Sequence, residues 1–459
     1  MARAEWQPWR SAGPDKSSVR REQVYRMSDI EASKAVLNRD GSMLLKPDLA
    51  EAIVSEVRES EIIQIACDLI NIPSPTGEEL QMGNYMRAAL QAAGLKVSSQ
   101  EVEPGRANII GLWEGEGNGK SLMFNGHMDT SNSGREEYLT GLGYKPKAAI
   151  KDRYIYGLGI YNMKGALVCY TQAVHALQRA GVKLDGSLWI AAVVGEIEKS
   201  QSGDEFVGRE YRGYGVGTHY LVNHGVLPDM CILGEPTDMQ MVLGHYGSLW
   251  VRVKMQGLYV HTAFSQTRQR QTSVRRMQDV LEFINAWIPT WEECACYGDH
   301  RGIVNVGSIR AGEPWRASRT PAEAEICMDL RVPPTMPMQD ARRIVKDFFL
   351  NLAQQFPDYG LEFETYVSVP GAEISEDHEL VKTIDAAHTR IMGTPPARAV
   401  VQWCSDASVM TRFGIETLNY GPSSGERDAE GEKVAIDTLT NITKIYALAA
   451  AEICGAHED

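Results

Sequence analysis

The chain has 459 residues and a formal net charge of −14, with 43% hydrophobic and 23% charged residues. That length exceeds what one core usually covers, so two domains are the default. The acidic balance argues against nucleic acid or an anionic membrane as partner, since either asks for a concentrated basic face.

In chain order, residues 1–47 read as a polar N-terminal extension with one helical candidate at 30–38 and a break at Lys46-Pro47. No apolar stretch there has signal-peptide length, and none elsewhere approaches a membrane span, which predicts a cytoplasmic protein. Helices are predicted over 48–72, stopped by Pro73 and Pro75, and over 77–93, ended by Gly94. Strands at 97–102, 108–113 and 121–125, a helix at 164–180, and strands at 187–194 and 230–233 follow. This alternation indicates an α/β layer with a largely parallel sheet flanked by helices. From 249 to 367 the order becomes strand, helix, strand, strand, helix, strand, which is the ferredoxin-like order and reads as an inserted α+β lid. The first texture resumes with helices at 379–391 and 436–454. The predicted organisation is therefore an extension (1–47), a catalytic domain in two parts (48–243 and 371–459), and a lid and dimerisation domain (244–370). The eight cysteines are scattered, mostly within apolar runs, and read as buried hydrophobes in a reducing compartment.

The run Asn125-Gly126-His127-Met128-Asp129-Thr130 places an imidazole two residues before a carboxylate at the end of a predicted strand. In extended backbone those two side chains share a face, so the carboxylate can hold one ring nitrogen while the other binds a metal. Three later segments also fall at strand ends, where sites gather in such sheets: 157–165 with Asn162, 193–198 with Glu196 and Glu198, and 233–237 with Glu235.

On these motifs, the chain from about residue 60 onward resembles the metallohydrolase family that contains acetylornithine deacetylase, succinyl-diaminopimelate desuccinylase, aminoacylase and glutamate carboxypeptidase. The resemblance implies a zinc-peptidase-like domain with a ferredoxin-like lid that usually dimerises. It implies His127 as a metal ligand oriented by Asp129, Glu235 as a second ligand and Glu196 as general base. His261, in the lid segment 257–263, matches the histidine that polarises the substrate carbonyl, often across the dimer. Three positions depart from the family pattern. Its metal-bridging aspartate falls on Asn162, the second glutamate of its Glu-Glu pair on Ile197, and its last metal histidine on Asp428, four residues before Glu432.

An amide oxygen can ligate one divalent ion, but it brings no charge to hold two cations together. The expectation is a mononuclear site of His127, Glu235 and Asn162, with one Mn²⁺ or Zn²⁺ per subunit. Glu198 is a rival ligand, since it shares a face with Glu196 on a continuing strand, and Asp428 is another. The expected reaction is hydrolysis of a C–N bond in a small carboxylate-bearing molecule. A branch of aromatic amine aminohydrolases, of the nitroanthranilate type that releases ammonia, is the specific suspicion. The alternatives are a dinuclear aminoacylase, deacetylase or dipeptidase, and a non-catalytic relative that binds a small ligand. Tyr246, Tyr259, Phe264 and Trp403 could line an aromatic pocket or belong to the core. Arg310, Arg316, Arg319 and Arg331 could clamp a carboxylate. The expected partners are a small-molecule substrate and a second copy of the chain, as a homodimer through the lid or a higher homo-oligomer.

Overall fold

A central strand, Leu122–His127, is buried at all six positions, as a strand covered on both faces must be. In the computed structural model, which describes residues 45–423 and 429–458, this strand pairs in parallel with Leu188–Val193 on one side and Met230–Leu233 on the other. The sheet has nine strands. Beyond Leu188–Val193 lie Arg106–Trp113 and then Lys96–Glu103, both antiparallel. Beyond Met230–Leu233 lie Glu416–Asn419 in parallel, then Met241–His245, which carries Ala372–Glu373 and Arg398–Val401. The sheet is thus mixed, with a parallel centre. Gly126 lets this strand approach the helix Gly165–Arg179, because a Cβ there would meet the side chains of Met163 and Leu167 at 2.9 and 3.0 Å. Phe124 stacks on Tyr170 of that helix at 4.9 Å. The Tyr170 hydroxyl donates to the Asn125 carbonyl at 2.7 Å and accepts from the Gly234 amide at 2.6 Å, tying two strand ends together.

The second sheet is antiparallel, ordered Val304–Ala311, Glu323–Val332, Gly247–Gln256, Glu362–Val369. Helices Ser273–Cys294 and Met338–Gln355 pack on it, with a separate core that includes Val251, Trp291, Ile326 and Phe349. This is the ferredoxin-like arrangement. All the described residues belong to one compact unit. Among them, no helix is long and apolar enough to cross a membrane.

The predicted helix over 48–72 is two helices, Pro47–Ser55 and Glu59–Ile70. No proline or glycine marks the break. A distant residue accompanies it, since Arg179 donates to the Glu56 carbonyl at 2.6 Å and pairs with Glu61. A three-stranded sheet of Ala149–Lys151, Tyr154–Tyr156 and Lys433–Ala435 was not foreseen either, its strands being only three residues long. The helical candidate at 30–38 lies outside the described residues.

Arg106 opens its strand fully buried and reaches Glu79 through two bonds, Nε to Oε2 at 2.9 Å and Nη2 to Oε1 at 2.6 Å. It also donates to the carbonyls of Arg209 and Arg212 and lies against Gly195, whose φ of +64° favours glycine. Replacing only one partner of a buried pair strands the other charge. Arg106→Met is therefore expected to cost roughly 3–5 kcal/mol in chemical denaturation at neutral pH, with the companion change Glu79→Leu recovering much of it. A loss under about 1 kcal/mol would contradict this reading of the pair.

Candidate metal centre

His127 ends the central strand with its ring buried. Nδ1 is 2.9 Å from the backbone carbonyl of Asp129 and 3.5 Å from its carboxylate. The ring is therefore oriented first by a main-chain oxygen. The Asp129 carboxylate accepts instead from Thr76 Oγ1 at 2.8 Å and from the amides of Glu196 and Ile197 at 3.0 and 3.3 Å. It fixes the loop that carries Glu196.

Nε2 of His127 is 3.0 Å from Asn162 Oδ1 and 3.6 Å from Glu196 Oε2. Ligand atoms of His127, Glu196 and Glu235 all lie within 4.8 Å of one another. Glu235 Oε1 is buried without a hydrogen-bond partner. Buried carboxylate oxygens are seldom left so, because an unpaired one loses its hydration with nothing in return. An imidazole nitrogen, two carboxylates and an amide oxygen facing one point fit a divalent cation.

The electrostatics agree. Burial, then the charges of Glu235, Asp406, Asp129 and Glu198, push the Glu196 carboxyl well up. Burial raises Glu235 to about 7, against the pull of His127. Asp406, held by the Thr218 hydroxyl, is raised by burial to about 6. Burial alone would lower His127, but Glu235 and Asp129 outweigh it and raise the imidazole. Glu432 is raised by burial to about 7, opposed by the amides of Asn162, Gly159 and Tyr161 and by Lys164. Its carboxylate accepts from the Tyr161 and Asn162 amides at 3.2 Å each, bracing the turn that presents Asn162.

These groups open into a cavity of roughly 620 Å³ lined by Asn162, Glu196, Glu198, Glu235, Trp403 and Glu432 among others. The other candidates fall elsewhere or are already engaged. The Glu198 carboxylate is gripped by Arg331 at 2.7 and 3.2 Å and accepts from the Cys404 thiol at 2.9 Å, so it is committed to an ion pair at the cavity wall. Tyr246 is buried with its hydroxyl donating to the His300 carbonyl at 3.0 Å, and it does not line the cavity. Trp403 does, lying near-parallel to His245 with ring centroids 6.3 Å apart. His261 is exposed and lines a different concavity of the lid. Asp428 lies outside the described residues. Asp406 and Glu432 were not picked out as site residues. Asp406 follows the strand Arg398–Val401 closely, and its place beyond a strand's carboxyl end was the available signal.

A mixed sheet with a cation-ready cluster at its strand ends and a ferredoxin-like second sheet fits the metallohydrolase class that the sequence motifs imply. Residues 123–452 match the profile of Peptidase family M20/M25/M40, and the chain belongs to that family. It is 26% identical over 375 residues to an acetylornithine deacetylase of Salmonella heidelberg (strain SL476), an alignment covering 79% of this chain and 89% of that one. Its fold is similar to a tripeptidase from Staphylococcus aureus, with a TM-score of 0.67, 17% identity and coverage of 87% and 99%. Human carnosine dipeptidase 1 is similar in the same way, with a TM-score of 0.69, 14% identity and coverage of 89% and 100%. The chain is accordingly a divalent-metal-dependent hydrolase of amide-like C–N bonds.

Glu235, Asp406 and Glu432 hold protons in the folded metal-free protein at pH values where the unfolded chain has lost them. The folded state therefore binds more protons between about pH 4.5 and 7, and its stability falls as pH rises through that window. Thermal melts of chelator-treated protein are expected to show Tm declining from about pH 5 to 7.5, and added Mn²⁺ or Zn²⁺ to raise Tm more at the upper end. A flat or rising profile would show the carboxylates balanced without a cation.

Proposed function

We infer that the chain is a mononuclear metal-dependent hydrolase of a small carboxylate-bearing molecule, and an aromatic amine aminohydrolase in particular. The observation that carries the single-ion reading is Asn162. A neutral amide, its Oδ1 3.0 Å from His127 Nε2, stands where the family's bridging aspartate would be. Among the described residues, one group of three His or carboxylate donors can hold an ion, that of His127, Glu196 and Glu235. In this reading His127, Glu235 and Asn162 hold Mn²⁺ or Zn²⁺, and Glu196 is the base.

His127, Glu235 and Asn162 would hold a divalent cation, which when bound would supply Lewis acidity and make a water more acidic, toward neutrality. Glu196, whose carboxyl is raised by burial and by its acidic neighbours, takes the water's proton and passes it to the departing nitrogen. Asp129 keeps the Glu196 loop in place through two amides. His261 donates to the developing negative charge, brought by the lid of a partner subunit in a homodimer or higher homo-oligomer. Its exposure on a concavity apart from the main cavity suits delivery from outside the subunit. Trp403 on the cavity wall suits an aromatic substrate. The eight free cysteines suit a cytoplasmic location.

The second reading is a dinuclear deacetylase, favoured by the 26% identity to acetylornithine deacetylase. Metal analysis of active protein separates the two, with one equivalent per chain expected and two excluding the mononuclear site. Incubating the metal-loaded enzyme with nitroanthranilate and with N-acetylornithine, while following ammonia and acetate separately, is expected to yield ammonia from the first. Acetate from the second alone would select the deacetylase. Glu196→Gln is expected to lower kcat by roughly 10²–10⁴ with metal content unchanged, and unchanged turnover would remove Glu196 as base.

A further inference from the structure

Residues 257–262 and 318–322 form a short ribbon that continues the paired central strands Gly247–Gln256 and Glu323–Val332 past the end of the four-stranded sheet. Its rungs are the Gly257 amide to the Ala322 carbonyl at 2.7 Å, Thr320 to Val260 at 2.9 Å, and Thr262 to Ser318 at 2.9 Å. The Val260 amide adds a bond to Thr320 Oγ1 at 2.8 Å. Within the ribbon His261 and Arg319 stand directly opposite as an antiparallel pair. Opposed residues of such a pair project from the same face, and Tyr259, two residues before His261, shares it. The Arg319 guanidinium lies over the Tyr259 ring, 5.5 Å from its centroid, and the Phe264 ring meets His261 edge-on at 6.4 Å. These four side chains line one concavity of roughly 530 Å³. Tyr259 and Phe264 are 50% and 69% exposed, unusual for large aromatics with no task at the surface.

Three other lid arginines are already committed. Arg331 is held by Glu198 and Asp329, Arg310 by Glu205, and Arg252 by Glu364. Arg319 keeps its guanidinium on an aromatic face, and among the described residues no carboxylate pairs with it. A planar guanidinium pre-oriented by stacking, beside a histidine and two exposed rings, is the donor set for a carboxylate attached to an aromatic or similarly flat body.

We propose that Arg319 is a specificity residue that binds the substrate's carboxylate alongside His261, with Tyr259 and Phe264 flanking the substrate body. This rests on the hydrolase reading of His261 given above. Because the two strands of the ribbon are bonded rung by rung, Arg319 arrives at the reacting centre whenever His261 does. The pair is fixed before substrate binds, so little ordering cost falls on recognition.

The test compares steady-state kinetics of full-length, metal-loaded protein on nitroanthranilate and N-acetylornithine, each beside its carboxamide counterpart. Arg319→Ala is expected to raise KM for the hydrolysed carboxylate roughly 10-fold or more while leaving the carboxamide unchanged. Arg319→Lys is expected to fall between, since an ammonium cannot make the paired contact. His261→Ala is expected to lower kcat on acid and amide alike. Equal KM shifts for acid and carboxamide, or none for either, would overturn the role of Arg319 while leaving the hydrolase reading intact. Wild-type protein that hydrolyses none of the four compounds with either metal would overturn the proposed substrate reading, and the role of Arg319 with it.

Discussion

Glu196, Glu235, Asp406 and Asp129 are buried around one imidazole, that of His127, and their mutual repulsion is the constraint on which the rest of the site depends. At an effective dielectric near 20, two like charges about 4 Å apart cost about 4 kcal/mol. Several such pairs would rival the whole stability of a domain, roughly 5–15 kcal/mol. The molecule can relieve this by keeping protons, as the raised Glu235 and Asp406 do, or by admitting a cation. The unpartnered Glu235 oxygen is the mark of the second course. A Glu235 carboxylate oxygen lies within 4.8 Å of ligand atoms of His127 and Glu196.

The loop that carries Glu196 is held from two sides. Upstream, the Asp129 carboxylate accepts the amides of Glu196 and Ile197. Two residues downstream, Glu198 is clamped by Arg331 from the second sheet, and Arg331 also pairs with Asp329, which accepts from Ser248 at 2.7 Å. Burial would raise the Glu198 carboxyl, but the Arg331 guanidinium more than reverses this and holds it below its ordinary value. The position of the second sheet is therefore coupled to the loop that carries Glu196 through one charged contact at the cavity wall.

Elements with strong periodicity and clear stops were legible in the sequence. Ile436–Cys454 begins and ends where the pattern placed it. The strand before His127 was legible because an unbroken apolar run can only be a buried strand at that length. Breaks set by distant partners were not, as where Arg179 meets the Glu56 carbonyl between two helices. The same divide runs through the site. His127, Asn162, Glu196 and Glu235 each follow a recognisable strand or glycine turn, and they meet at one cavity. Asp406 acquires its meaning only from Thr218, 188 positions away, and Glu432 from the amides of Tyr161 and Asn162. Glu198 shows the opposite error, for the alternation that put it beside Glu196 held no information about Arg331 reaching over from the second sheet.

In the single-ion site proposed above, Asn162 would set how much positive charge the centre takes. A carboxylate at that position would add a negative charge between two cations and offset part of their repulsion, which at a few ångströms is larger than that of any carboxylate pair in the site. The amide keeps the oxygen and removes the charge. It is also not free to swing aside, since its backbone amide is pinned by Glu432 and its Oδ1 faces His127 Nε2. Glu432 spends its own charge on backbone amides rather than on an ion. In that reading Glu196 and Glu235, whose ligand atoms lie within 4.8 Å of that of His127, would bring two negative charges to one divalent ion.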